Sequence, residues 1–338
     1  MKKQASILFL LSYILCTAFS WAQEDYFVGQ SRFMQKINSS YLGVNSLNKV
    51  GVLYNVIRVN SNQNIDNKYF FGALSFDEKK FSLGLDVNSF RIDQTGYVST
   101  LSNFSYIYKL QINNRLFFLP SVSIGLGSSS FNSSSLVFED QLDQATGFIN
   151  TASIDPTLDQ IRTLNYFDLG ASFILHNNQF LTGLSLKHLN RPNVSFDQDA
   201  EFTKPIQITL NGAYEFDINP YERGLLPRYS FLYTYGSVSY FDAKTYYYLS
   251  QELQLGEFSL GLSQQASFVD QFNLNNVGLI AGLSFENFDF GVLYNFPIRN
   301  VNRVFSPSTF ELYLTFDFSK FRRNRRGLFK RLQTDNYF

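Results

Sequence analysis

"FELYLTFDF", residues 310–318, alternates between two kinds of side chain. Phe310, Leu312, Leu314, Phe316 and Phe318 fall on one side of an extended chain. Glu311, Tyr313, Thr315 and Asp317 fall on the other. Period two is the signature of a strand with two different faces. In a water-soluble sheet the apolar face packs against a second layer. In a membrane barrel it faces lipid.

The same pattern recurs upstream. Phe81, Leu83, Leu85 and Val87 alternate with Ser82, Gly84, Asp86 and Asn88. Phe167, Leu169, Ala171, Phe173 and Leu175 alternate with Asp168, Gly170, Ser172 and Ile174. Ile206, Ile208, Leu210, Tyr214 and Phe216 stand opposite Gln207, Thr209, Asn211, Ala213 and Glu215. The minor face is rich in Ser, Gly, Asn, Gln and Thr. A closed barrel with a lipid-facing exterior and a polar interior accounts for bulky lipophilicity on one side and polarity on the other.

Composition agrees. The chain holds 37 Phe and 21 Tyr, and charged residues make up 17%, below the roughly 25% usual in soluble proteins. Mean hydropathy is only −0.12, too low for a bundle of membrane helices. No stretch after the N-terminal one approaches eighteen consecutive apolar residues.

The first 22 residues read as a secretory signal: Lys2 and Lys3, the apolar core "ILFLLSYILCTAF", then Ser20-Trp21-Ala22 as a cleavage site. Removing them takes the only cysteine, Cys16, and with it disulfide or thiolate chemistry. It also takes two of the 28 basic residues, leaving 26 against 28 acidic ones. That balance gives no general case for an anionic partner.

Turn chemistry then predicts an all-β, antiparallel transmembrane barrel of about fourteen strands over residues 49–318. Tight connections are expected near Asp77, Ile112, His176, Leu255 and Glu286, with a longer member of the same set from Asp217. Longer polar segments, 60–67, 129–165, 189–205 and 296–308, alternate with them. One strand is expected to stop at Gly236 and the next to begin at Thr245. In such barrels short turns face the periplasm and long loops face outside, which puts both chain ends in the periplasm. Residues 23–48 are expected to form a periplasmic or lumenal segment, and 319–338 a basic periplasmic tail. Arg58, Arg91, Lys109, Lys187 and Glu215 are candidates for lining the lumen.

Several stretches, in order, resemble the PorP/SprF family of type IX secretion outer-membrane proteins. "SVSIGLGSSSFNSSSLVFEDQ" is similar to the family's strand, serine-rich connection and motif, here with Phe138, Asp140 and Gln141; Glu139 stands where the family has Gly. "HLNRPNVSF" matches at His188, Leu189, Pro192, Ser195 and Phe196. "STFELYLTFDF" resembles the family's C-terminal strand, Glu311 included. The segment "INSSYLGVNS" from Ile37 departs from the family pattern.

The resemblance implies a non-enzymatic barrel in the outer-membrane lipid that serves protein secretion or gliding motility. Its implied partners are the C-terminal domain of a secreted adhesin or other cargo and periplasmic components of the machinery. The alternative is a general diffusion porin or a substrate-specific channel.

Other candidates weigh less. Lys320, Arg322, Arg323, Arg325, Arg326, Lys330 and Arg331 either dock a periplasmic partner or form a solvated tail after the last strand. No aromatic platform accompanies them, so nucleic acid is not expected. The acidic groups around Asp140 and Asp199 lack EF-hand spacing, and neither a Gly-x-Ser-x-Gly elbow nor a His-Glu-x-x-His zinc motif occurs. No cofactor, metal or catalytic residue is expected.

Overall fold

A computed structural model describes residues 27–46, 48–58, 64–93, 95–131, 141, 163–196, 201–219, 224–227, 230–269, 271–285, 287–298 and 307–318. The strands are β1 (Lys49–Arg58), β2 (Asn64–Phe76), β3 (Phe81–Ile92) and β4 (Tyr97–Tyr108, continued by Leu110–Asn113). Next come β5 (Leu116–Phe131), β6 (Leu164–His176), β7 (Phe180–Lys187), β8 (Gln207–Asp217) and β9 (Phe231–Phe241). The last are β10 (Lys244–Leu255), β11 (Phe258–Phe268), β12 (Phe272–Phe285), β13 (Phe288–Pro297) and β14 (Ser308–Asp317).

Each strand pairs antiparallel with its sequence neighbours, and β14 pairs with β1 from Lys49↔Asp317 to Arg58↔Ser308. The fourteen strands therefore close, and none of them is left as a sheet edge. Alternation puts Phe310, Leu312 and Leu314 outward and exposed, while Glu311, Tyr313 and Thr315 are buried inside. The outer belt continues through Val52, Tyr54, Phe70, Leu85, Val122 and Ile124.

The strand from Phe231 does not stop at Gly236. It runs to Phe241 and turns back through Asp242 and Ala243, both at positive φ. Positive φ at both central residues is the geometry that suits a two-residue hairpin. Ser237 and Ser239 keep facing in and Val238 and Tyr240 keep facing out, so the period-two pattern survives the glycine.

The interior is not simply polar. Residues 27–46 run through it, as a one-turn helix α1 (Met34–Ile37) followed by a 3₁₀ stretch (Ser39–Ser46). Phe27, Val28, Phe33, Met34, Leu42 and Val44 are buried there against inward-facing Tyr69, Phe71, Ile107, Tyr233 and Tyr313. Phe33 meets Tyr69, Phe71 and Tyr313 edge-on, with ring centroids at 6.0, 5.8 and 5.6 Å. Each such side chain removed from water contributes about 1.5–3 kcal/mol. Gly84 leaves the space that Leu42 occupies: a Cβ there would sit 2.2 Å from Leu42 Cδ1.

Candidate functional site

Two features organise the interior and one rim: the segment that fills the lumen, and the motif-bearing connection after β7.

The lumenal segment is tied to the wall by buried charge. Glu311, wholly buried, accepts hydrogen bonds from the Val28 N–H at 2.5 Å, the Gly29 N–H at 2.7 Å and Asn55 Nδ2 at 2.7 Å. A carboxylate with three donors is well compensated for its loss of water. Glu252 on β10 accepts from the Ser31 hydroxyl, from Arg32 Nε at 2.8 Å and from Arg32 Nη2 at 2.7 Å. Arg32 also reaches Asp289 on β13 at 3.3 Å and donates to Ser259 Oγ on β11 at 2.5 Å. Burial works against the Arg32 charge, and the carboxylates of Glu252 and Asp289 compensate it.

Polar contacts hold the other side. Asn38 Nδ2 donates to Phe173 O at 3.2 Å, Leu184 O at 3.3 Å and Asn211 Oδ1 at 3.1 Å. Ser39 and Ser40 join Ser121 and Ser172 in a hydroxyl cluster with oxygens 2.7–2.9 Å apart. Lys187 Nζ donates to Lys36 O at 2.7 Å, and Gln265 Nε2 to Phe27 O at 3.0 Å. Contacts from β5, β6, β7, β8, β10, β11, β13 and β14 thus converge on one short segment.

At the long-connection end, His188 Nδ1 lies 2.8 Å from Asp168 Oδ2 on β6. His188 and Arg191 both take positive φ. The Leu189 N–H donates to Leu169 O at 2.9 Å, and the Lys204 N–H to Pro192 O at 3.0 Å, so the chain folds back on itself. Ser195 N–H donates to Asn193 Oδ1 at 3.0 Å. Phe196 packs on Phe131 and Tyr97 at centroid distances of 4.8 and 6.3 Å, joining this connection to the ends of β4 and β5. The motif residues from His188 to Phe196 therefore build an ordered rim.

The structure separates the motif residues. His188, Leu189, Pro192, Ser195 and Phe196 share the rim, whereas Glu311 is inside the barrel with the lumenal segment. Gln141 is buried. Phe138, Asp140, and the tail residues Lys320, Arg322, Arg323, Arg325, Arg326, Lys330 and Arg331 lie outside the described residues, as do residues 1–26. Of the proposed lumen-lining charges, Lys187 and Glu215 do point inward. Lys109 donates to the Ser75 hydroxyl at 2.5 Å. Arg58 and Arg91 do not line the lumen: they share the outward faces of Tyr54 and Leu85, and Arg91 pairs with Asp93 at 3.2 Å. Both stand near strand ends, where a long basic side chain reaches the aqueous boundary. Among the described residues, no three His, Cys, Asp or Glu side chains gather as a metal site.

A closed outward-apolar barrel with an internally held N-terminal segment and this rim is matched over residues 22–316 by the family model of the type IX secretion system membrane protein PorP/SprF. The chain belongs to the PorP/SprF family. As a PorP/SprF protein it is an outer-membrane β-barrel and an accessory of type IX secretion. No curated protein matches it. Among solved structures, a deltaS2 mutant of the TodX monoaromatic hydrocarbon channel is similar at 11% identity and a TM-score of 0.49, covering 83% of this chain and 94% of that one. The Acinetobacter baumannii outer membrane protein Omp33 is similar at 12% identity and a TM-score of 0.44, covering 82% of this chain and all (100%) of that one. Likeness at this level concerns the barrel shape alone.

Proposed function

We propose that this PorP/SprF protein acts as a sealed docking barrel in type IX secretion. Its long-connection end, at the cell surface, holds the C-terminal domain of a secreted cargo such as an adhesin. Its tight-turn end faces the periplasm and meets components of the machinery there, with the basic residues 320–331 as the docking element. The mechanism is binding and positioning, with no covalent step.

The observation that supports this reading over a diffusion channel is the filled lumen. Residues 27–44 lie inside the barrel, most of them buried, and are fastened by Glu311 and Glu252. A passage blocked by an apolar core and two buried carboxylate anchors suits a scaffold better than a pore. The ordered rim from His188 to Phe196 supplies a rigid surface at the end where cargo would dock.

The test combines affinity isolation from native outer membranes with planar-bilayer recordings on the purified protein. Stoichiometric recovery of a secreted C-terminal domain, together with low conductance, is the expected result. High steady conductance with no co-purifying partner would replace this reading with the channel one.

A further inference from the structure

Charge on the outward face is confined to one sector of the barrel. Among the described strand residues, the charged side chains that face outward are Arg58 on β1, Asp66 and Lys68 on β2, and Arg91 on β3. The register makes them neighbours. Asp66 pairs with Val56 and Arg91, and Lys68 pairs with Tyr54 and Ser89. Arg91 therefore stands directly beside Asp66, and Arg58 diagonally. All four lie toward the long-connection end, which faces the cell surface.

Their local partners leave positive charge over. Asp66 lies against the Tyr54 hydroxyl, and Arg91 pairs with the exposed Asp93 at 3.2 Å. The side chains of Arg58 and Lys68 have no partner among the described residues. Reaching for water accounts for a basic residue at a strand end. It does not account for Lys68, which follows the start of β2 at Asn64 by more than one turn of the pleat. Nor does it account for the uncharged outward ends of the remaining strands.

On the periplasmic side of Lys68 the wall is hollowed. Val52, Phe70, Val87 and Leu312 line an outward depression of about 570 Å³, with Lys68 and Ser89 at its margin. Val52, Phe70 and Val87 stand one step deeper on the same outward rows as Tyr54, Lys68 and Ser89. Cations thus sit at headgroup level directly above an apolar trough.

We infer that this face of β1–β3 holds one phosphorylated glycolipid of the outer leaflet. Its phosphate sits among Arg58, Lys68 and Arg91, and an acyl chain runs down into the trough. A guanidinium matches phosphate oxygens in pairs, and an ammonium adds a point charge. A zwitterionic lipid fills the trough equally well but leaves the Arg58 and Lys68 charges without a surplus anion. The site is independent of whatever docks at the rim.

The test uses the full-length protein, isolated from native outer membranes in mild detergent and weighed with its lipids by native mass spectrometry. One phosphorylated glycolipid per barrel is the expected result. In nanodiscs, lipid A should be retained over its phosphate-free form. Arg58→Gln with Lys68→Gln should keep the heat-modifiable gel shift of a folded barrel. Its retention of lipid A should fall roughly fivefold for each cation removed. Lys79→Gln with Lys80→Gln, at the tight turn after β2, should retain lipid A fully. Equal retention of the two lipid A forms by the wild type overturns the proposal even if the first double variant fails to fold. So does a folded Arg58→Gln, Lys68→Gln barrel that holds lipid A as the wild type does. Phosphatidylglycerol held in place of lipid A would assign the site to a different lipid and overturn it too.

Discussion

Glu311, on the closing strand, holds the backbone N–H of Gly29 at 2.7 Å across 282 positions of sequence. The same carboxylate takes Val28 and Asn55, so it fastens the lumenal segment to β14 and β1 together. Any movement of the segment out of the lumen must first break the bonds from Val28 and Gly29 to this buried carboxylate, leaving it Asn55 alone.

Glu311→Ala removes three charge-assisted hydrogen bonds, each contributing about 1.5–3 kcal/mol. At about 1.4 kcal/mol per tenfold, the undocked population should rise by at least about a hundredfold. Single-channel recordings should show frequent openings in the variant and rare ones in the wild type. Equal conductance would mean that Glu311 does not hold the seal.

Arg32→Ala takes the guanidinium away from Glu252 and Asp289 and leaves them hydroxyl donors from Ser31 and Ser284. Removing one member of a buried pair costs about 3–5 kcal/mol. The melting temperature in detergent should fall, and protease should reach residues 27–46. Arg32→Lys should recover little of the loss, because a single ammonium cannot serve Glu252, Asp289 and Ser259 together.

His188→Ala leaves the Asp168 carboxylate without its ring partner at the rim. The loss should be about 1–3 kcal/mol and local. Chymotrypsin should cut at Phe196 or Phe202 sooner than in the wild type, with the barrel intact. If cargo recovery falls in parallel, the rim takes part in docking.

Leu312→Arg puts a guanidinium on the lipid face between Phe310 and Leu314. It should lower barrel stability by about 2–4 kcal/mol, whereas Thr315→Ser on the inward face should change it little. Refolding titrations into lipid vesicles measure both.

Replacing Arg322, Arg323, Arg325, Arg326 and Arg331 with Ser should leave barrel assembly unchanged and weaken recovery of periplasmic partners. Unchanged recovery would remove the tail from the docking surface.

The strands were legible because each carries its own evidence: Phe310, Leu312 and Leu314 announce a lipid face whatever lies elsewhere in the chain. The lumenal segment carried no such signal. Residues 37–46 show neither period two nor a helical stripe, and what orders them is Asn38 meeting Asn211 and Ser39 and Ser40 meeting Ser172. A hint did exist on the walls. Leu53, Phe71, Ile107, Ile174, Ile280 and Leu293 face inward, where a water-filled lumen needs polar groups. Apolar residues on both faces of β1, as in "VLYNVI", mean that both faces are covered.

A barrel that encloses its own N-terminal segment is a ship that must be built inside its bottle. Residues 27–46 leave the ribosome long before Glu311, yet they are bonded to each other. The β1–β14 seam and the capture of Gly29 share the same strand. Zipping that seam and seating the segment therefore draw on the same strand, and closure brings Asn55 and Glu311 together into the site that receives Val28 and Gly29.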